Sequence, residues 1–233
     1  MHYAIIAAGD GSRLTNEGIE LPKPLVKING ETLIDRLIRI FNENHAESIS
    51  IIINSTKPQL VEYMAQLSQK EKNIKLISAS TPSSVHSFYK LREHISGRFC
   101  LTTVDTVFDE KEFAEYIGTF EQNKTYDGMM GVTAYIDDEK PLYVKTVENG
   151  KIEGFYDKYE DGIKYISAGI YALNPIALEV LDRFMQSGQS RMRNYQRALV
   201  AEGLNLYAYP FGKVIDIDHK TDIEKAEKIV RHV

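Results

Sequence analysis

An apolar run, Tyr3-Ala4-Ile5-Ile6-Ala7, breaks into Ala8-Gly9-Asp10-Gly11-Ser12-Arg13, and Pro22-Lys23-Pro24 follows before a long helical pattern begins. No other stretch restricts the fold as much. A short unbroken apolar run reads as a strand buried on both faces, which is the strand of a parallel sheet. Gly9 and Gly11 let the backbone turn tightly at the strand's end and approach another molecule. Arg13 and Lys23 bring two fixed positive charges to the loop. Exposed N–H groups, no bulky side chains and two cations suit a polyphosphate. The pattern is not a dinucleotide fingerprint, which needs a third glycine and an immediate helix. Here the position holds Leu14, and a loop with Gly18, Pro22 and Pro24 predicts that the helix waits until about Thr32. A glycine pair alone would equally fit a structural turn; the two cations weigh against that reading.

The rest of the chain alternates. Strand patterns at residues 49–54, 74–79 and 99–104 are separated by helical patterns at 59–69 and 85–94, and a helix follows at 110–121. This βαβα rhythm predicts a parallel sheet with helices on both faces. From Gly128 the strands come without long helices between them, at 128–135, 142–147, 151–155 and 165–173, with a tight turn at Asn149-Gly150. Helices return at 175–185 and 192–202, strands at 204–210 and 213–217, and a helix closes the chain at 222–230. The expectation is an α/β fold with a mostly parallel central sheet and a smaller antiparallel insertion. One domain over residues 1–233 follows, with a nucleotide half (1–127) and an acceptor half (128–233). A chain of 233 residues, 43% hydrophobic and 26% charged, has enough apolar material for such a core. The net charge of −5 excludes a general attraction to nucleic acid or anionic membrane, so any phosphate must be held by local cations. The lone Cys100 excludes an internal disulfide and reads as a small core residue. No window of 18 apolar residues and no signal-peptide pattern is found, so no membrane insertion and a cytoplasmic location are expected.

Taken together, Ala7-Ala8-Gly9, Gly11, Arg13-Leu14 and then Pro22-Lys23-Pro24-Leu25 resemble the opening A-A-G-x-G-x-R-L and P-K-P-L motifs of the sugar-phosphate nucleotidyltransferases, the nucleotide-sugar pyrophosphorylases. The resemblance implies a Rossmann-like nucleotide-diphospho-sugar transferase fold. It implies that Ala7, Ala8, Gly9, Gly11, Ser12 and Arg13 border the nucleotide, and that Arg13 and Lys23 are the catalytic cations. Asp105-Thr106-Val107-Phe108 is similar to that family's D-x-x-F, an acidic metal position after a strand. In an open parallel sheet ligands gather at the strands' carboxyl ends, where Asp105 and the pair Asp216 and Asp218 both fall. Two carboxylates suit Mg²⁺. The segment from Ile217 resembles I-D-T-x-E-D-L and favours Asp218 as the second ligand, with Asp216 the alternative; Asp222 and Asp109 read as helix-start carboxylates.

On the acceptor side, Phe155-Tyr156-Asp157-Lys158 stands where the family has F-x-E-K, with Asp for Glu and Tyr159 for the following Pro. Ser167-Ala168-Gly169-Ile170-Tyr171 matches S-A-G-I-Y in full. The resemblance assigns Lys158 to the acceptor phosphate and Gly169 to a close backbone approach. Ser83 and Ser84, in a loop unlike the G-T-G-H-A of uridylyltransferases, are candidate base or ribose contacts and equally candidate helix caps. That loop is closer to the small cytidylyltransferases acting on phosphocholine or similar phosphates. Tyr156, Tyr159 and Tyr165 read as rim aromatics. The implied reaction joins an NTP to a sugar 1-phosphate or phosphocholine-like phosphomonoester, releasing pyrophosphate by Mg²⁺-assisted in-line attack. The alternatives are a nucleotide-sugar-dependent glycosyltransferase using Asp216-Ile217-Asp218 as a D-x-D metal site, and a non-catalytic nucleotide sensor. Homo-oligomerisation is left open.

Overall fold

The computed structural model describes residues 1–137 and 139–230. In chain order the elements are β1 (His2–Ala7), α1 (Ser12–Asn16), β2 (Lys27–Ile28), β3 (Glu31–Thr32), α2 (Leu33–Glu43), β4 (Ser48–Ile53), α3 (Pro58–Lys70), β5 (Ile74–Ser78), α4 (Ser84–Leu91), β6 (Phe99–Thr103), β7 (Thr106–Val107) and α5 (Glu110–Gln122). There follow β8 (Gly128–Thr133), β9 (Tyr143–Thr146), β10 (Ile152–Tyr156), β11 (Tyr165–Leu173), α6 (Ile176–Gln186), α7 (Met192–Ala201), β12 (Leu206–Phe211), β13 (Ile215–Asp216) and α8 (Lys220–Ile229).

β1 lies between β4 and β6 and is parallel to both, and β5 extends the sheet parallel to β4. β11 then runs antiparallel to β6 and β8, and β12 joins β8 in parallel. The β9–β10 hairpin hangs on the first half of β11, with Gly150 at φ 81° in its turn. Each central strand feeds two cores by alternation. Tyr3, Ile5 and Ala7 point into one, covered by α2, α3 and α5; Ala4 and Ile6 point into the other, covered by α4, α6 and α7. Helices therefore do pack on both faces of a mostly parallel sheet, as the alternation predicts.

Local chemistry sets the helix starts. Thr32 caps α2 by accepting from the Asp35 N–H at 3.1 Å, and Asp109 caps α5 by accepting from Lys111 and Glu112. Pro58 opens α3, where its missing N–H has no partner to lose. Two expectations need correction. A short helix, α1, starts directly after Gly11, because the Gly11 carbonyl accepts the Thr15 N–H at 3.1 Å; the long helix begins after Thr32 as anticipated. The strand expected over residues 213–217 shrinks to β13, which pairs with β7 and stays outside the main sheet. β7 itself escapes sequence reading, since two residues carry no periodicity.

Gly128 is the most closely packed of the glycines. A Cβ built there would lie 2.6 Å from Leu173 and 2.8 Å from Leu206, both fully buried. Gly128→Ala is therefore expected to cost about 1–3 kcal/mol by overpacking, read as a lower denaturant midpoint at unchanged slope; a stability equal to the parent would contradict this packing.

Candidate active site

β1 delivers Ala8 and Gly9 to the carboxyl edge of the sheet. Nothing lies within 4 Å of a Cβ built on Gly9, so the backbone there faces open space. Gly11 has φ 66°, in the left-handed region, and a Cβ on it would meet the Lys23 Cβ at 3.4 Å. Any other residue at 11 would strain the turn, while its Cβ would only touch the lysine. Ala7, Ala8, Gly9 and Gly11 line a cavity of about 330 Å³, and Ser83 and Ser84 line it too, at the start of α4. Ser83 bonds the His86 ring at 2.8 Å. Ser12 is exposed on α1 and lies outside this cavity, while Arg13 faces a neighbouring one of about 250 Å³.

The charged groups converge. Lys23 Nζ donates to Asp105 Oδ2 and to Asp218 Oδ1, each at 2.7 Å, and Arg13 Nη1 donates to Asp218 Oδ2. Residues 105 and 218 meet because β7 and β13 zip together, Asp216 opposite Thr106, and the Ile217 N–H donates to the Asp105 carbonyl at 3.0 Å. Burial alone would depress Lys23, but Asp105 and then Asp218 more than reverse this, so its pKa is raised and the ammonium stays charged. For Asp218 burial acts upward, and Lys23, Arg13 and His219 overcome it to hold the carboxyl below its ordinary value. Asp216 differs. Protein encloses it deeply although the carboxylate opens to the cleft, Thr106 Oγ1 donates to it at 3.0 Å, and burial followed by the charges of Asp105 and Asp218 raises its pKa.

A clasp joins the end of α1 to α8. Glu17 bonds the His219 ring at 2.6 Å and accepts the Lys220 N–H at 2.7 Å, while Asp222 accepts from the His219 N–H at 2.7 Å. Asp222 thus fills the helix-start role read from sequence. The clasp itself escapes sequence reading, since nothing local links residues 17 and 219.

Gly169 sits at φ 72° where the β11–β8 register slips between Ser167 and Tyr171, and a Cβ there would reach Thr106 Oγ1 at 3.2 Å. It lines a third cavity of about 490 Å³ together with Ser83, Ser84, Thr103 and Asp216. Lys158 does not join it. β10 ends at Tyr156, Asp157 pairs with Arg193 at 2.6 Å and Arg197 at 2.8 Å, and Lys158 and Tyr159 are exposed outside all three cavities; Tyr156 and Tyr165, half-buried, lie outside them too. Cys100 is buried, and burial pushes its thiol pKa up.

Could the residues hold a divalent cation? Among the described residues no group of three or more His, Cys, Asp and Glu forms a ready cage. The Asp105–Asp218 pair does already receive a cation, the Lys23 ammonium, and its donors are all oxygen. That set fits Mg²⁺, which takes one or two carboxylates and completes its shell with water and phosphate. No described helix is long and apolar enough to cross a membrane.

His219 has a raised pKa, chiefly through its bond to Glu17. Glu17 is lowered by the same bond, so the clasp contributes fully between pH about 4.5 and about 6.5; it is lost as pH rises through the folded His219 value and as pH falls through the folded Glu17 value. Glu17→Gln is expected to bring the His219 titration, followed by NMR, back down towards 6.5; an unmoved midpoint would show that Glu17 does not set it.

The family profile described as nucleotidyl transferase matches residues 3–230. The bifunctional protein GlmU of Methanococcus vannielii is 24% identical over 216 residues, covering 89% of this chain and 49% of that protein. The chain spans about half the length of the curated relatives it matches. Among solved structures, the inositol-1-phosphate CTP transferase from T. maritima superposes with a TM-score of 0.78 at 19% identity, covering 100% of this chain and 97% of that one. A candidate glucose-1-phosphate thymidylyltransferase from Bacillus anthracis, solved with a sucrose, gives 0.83 at 17% identity over 100% and 96%. At these identities the superpositions speak for the fold.

Proposed function

The chain belongs to the nucleotidyl transferase family, and from that premise we propose that it transfers a nucleotidyl group from an NTP to a phosphomonoester, releasing pyrophosphate. The observation that carries this reading is the convergence of Arg13, Lys23, Asp105 and Asp218 beside a glycine-lined cavity. Residues 1–127 form the nucleotide half and residues 128–233 the acceptor half. A phosphomonoester is already anionic near neutral pH and attacks phosphorus without a protein base, so alignment and charge neutralisation are what the chain must supply. Asp105 and Asp218 are the residues to hold Mg²⁺, with Asp216 behind them on Thr106. When bound, that ion polarises phosphoryl oxygens and neutralises charge there. Arg13 and Lys23, no longer engaged by the two carboxylates, turn to phosphate: Arg13 to the departing pyrophosphate, Lys23 to the α-phosphate and the incoming one. The backbone at Gly9 and Gly11 admits the triphosphate closely, and Ser83 and Ser84 face the base or ribose.

The base is a choice among CTP, UTP, dTTP and GTP. The loop at 83–87 leans towards CTP; one structural neighbour is named a CTP transferase and another a thymidylyltransferase. A sugar 1-phosphate or an alcohol phosphate is the acceptor class. The D-x-D glycosyltransferase alternative loses ground because Asp216 bonds Thr106 while Asp218 shares Lys23 with Asp105, so the two aspartates do not act as one pair.

Pyrophosphate release across four NTPs and a phosphomonoester library tests the reaction; nucleotide binding with no turnover on any acceptor would favour a sensor. Arg13→Ala and Asp105→Ala are each expected to lower kcat by about 10²–10³ with folding retained by circular dichroism. Chelation of Mg²⁺ should abolish turnover reversibly, and normal rates in excess chelator would remove the metal role.

A further inference from the structure

The third cavity, of about 490 Å³, shares Ser83, Ser84 and Thr103 with the nucleotide cavity and holds Gly169 and Asp216 on the metal side. On the proposed reaction it is the volume an acceptor occupies beside the nucleotide. Its remaining wall is cationic. Lys140, Arg191 and Arg193 line it, with Leu142, Met192 and the buried Gln196 between them, and the one carboxylate among its described lining residues is Asp216. Arg193 is committed to Asp157 and to the Lys140 carbonyl at 3.0 Å. Arg191 is not committed: among the described residues its guanidinium has no hydrogen-bond or ion-pair partner, and its side chain is exposed to the cavity. Its backbone is held at φ 75° and ψ 133°, a region that strains a residue with a Cβ. A strained arginine without a partner, at the mouth of a cavity, is placed for a ligand that is absent from the chain itself.

The charge balance names that ligand's class. The acceptor's reacting phosphate is met by Lys23 and the Asp105–Asp218 site, so the Arg191 wall is surplus to it. The carboxylate that stands in the F-x-E-K position, Asp157, is neutralised by Arg193 and Arg197 and lies outside the lining, so it does not serve a polyol's hydroxyls. Guanidinium forks favour carboxylate and phosphate. We infer that the acceptor is a phosphomonoester carrying a second anionic group, a carboxylate or a further phosphate, which Arg191 receives. This rests on the transfer reaction proposed above and narrows its substrate.

Matched acceptor pairs test it: glucose 1-phosphate against glucuronate 1-phosphate and against glucose 1,6-bisphosphate, and glycerol 3-phosphate against 3-phosphoglycerate, with phosphocholine as the cationic member. Pyrophosphate release should give kcat/KM at least about tenfold higher for an anionic member, the scale of one charge-assisted hydrogen bond. The carboxylate and bisphosphate arms tell the two sources apart. Arg191→Gln should collapse that ratio through KM, Arg191→Lys should restore part of it, and Arg191→Gly should lose the preference while raising Tm, because glycine relieves the strained backbone. Neutral acceptors equal to their anionic partners, a preference for phosphocholine, or a ratio unmoved by Arg191→Gln would overturn the inference and leave the transfer reaction standing. If no acceptor turns over, the transfer reading fails, and calorimetric titration of the same pairs onto the nucleotide-loaded protein still decides whether the second anion is bound more tightly through Arg191.

Discussion

The ammonium of Lys23, seated between the carboxylates of Asp105 and Asp218, holds the functional end of this molecule together. It ties the loop after β1 to the turn after β6 and to the entry of α8, three regions brought together from opposite ends of the chain. With Arg13 added, two positive and two negative side chains close into a neutral set. Such a set is stable because each charge is paired and partly shielded, and it is also reorganisable because each charge has a second use. A polyanion competes for the cations and a divalent metal competes for the carboxylates. In the proposed reaction, loading one pair would release the other, so nucleotide and metal would favour each other by charge exchange.

The scaffold keeps this exchange local. Arg36, buried under Phe108 and donating to its carbonyl at 2.6 Å, secures the turn that follows Asp105. Burial lowers its pKa to about 10, and its Nε is left without a partner, a local cost for anchoring the turn from beneath. Thr103, Thr106 and Asp216 form a hydrogen-bonded row behind Asp105 and Asp218, and Gly169 leaves the space that row needs.

Much of this is readable in the amino-acid order because it is written in local patterns. The apolar runs of β1, β4 and β6, the helix start near Thr32, the cap Asp109 and the glycine–arginine loop each announce themselves within a few residues. The bounds of β11 are legible because nine residues of apolar and small side chains leave little choice. The parts that stay hidden depend on partners far away in sequence. Nothing around Glu17 points to His219, nothing around Thr106 points to Asp216, and the backbone sign at Arg191 has no compositional mark, since arginine is not the residue one expects at positive φ. Lys158 shows the converse: a motif position matched by residue type lies exposed outside the cavities, beside an Asp157 that pairs with two arginines.

The terminal helix has a consequence for how the molecule fails. Asn29, in the β2–β3 turn, donates to the carbonyls of Glu227 and Val230, so α8 is moored to the amino-terminal half at one end and carries Asp218 just before the other. Fraying of that mooring would slacken the carboxylate seat while the central sheet stayed intact. Loosening of α8 therefore reaches the seat of Asp218 before it reaches the strands of the central sheet.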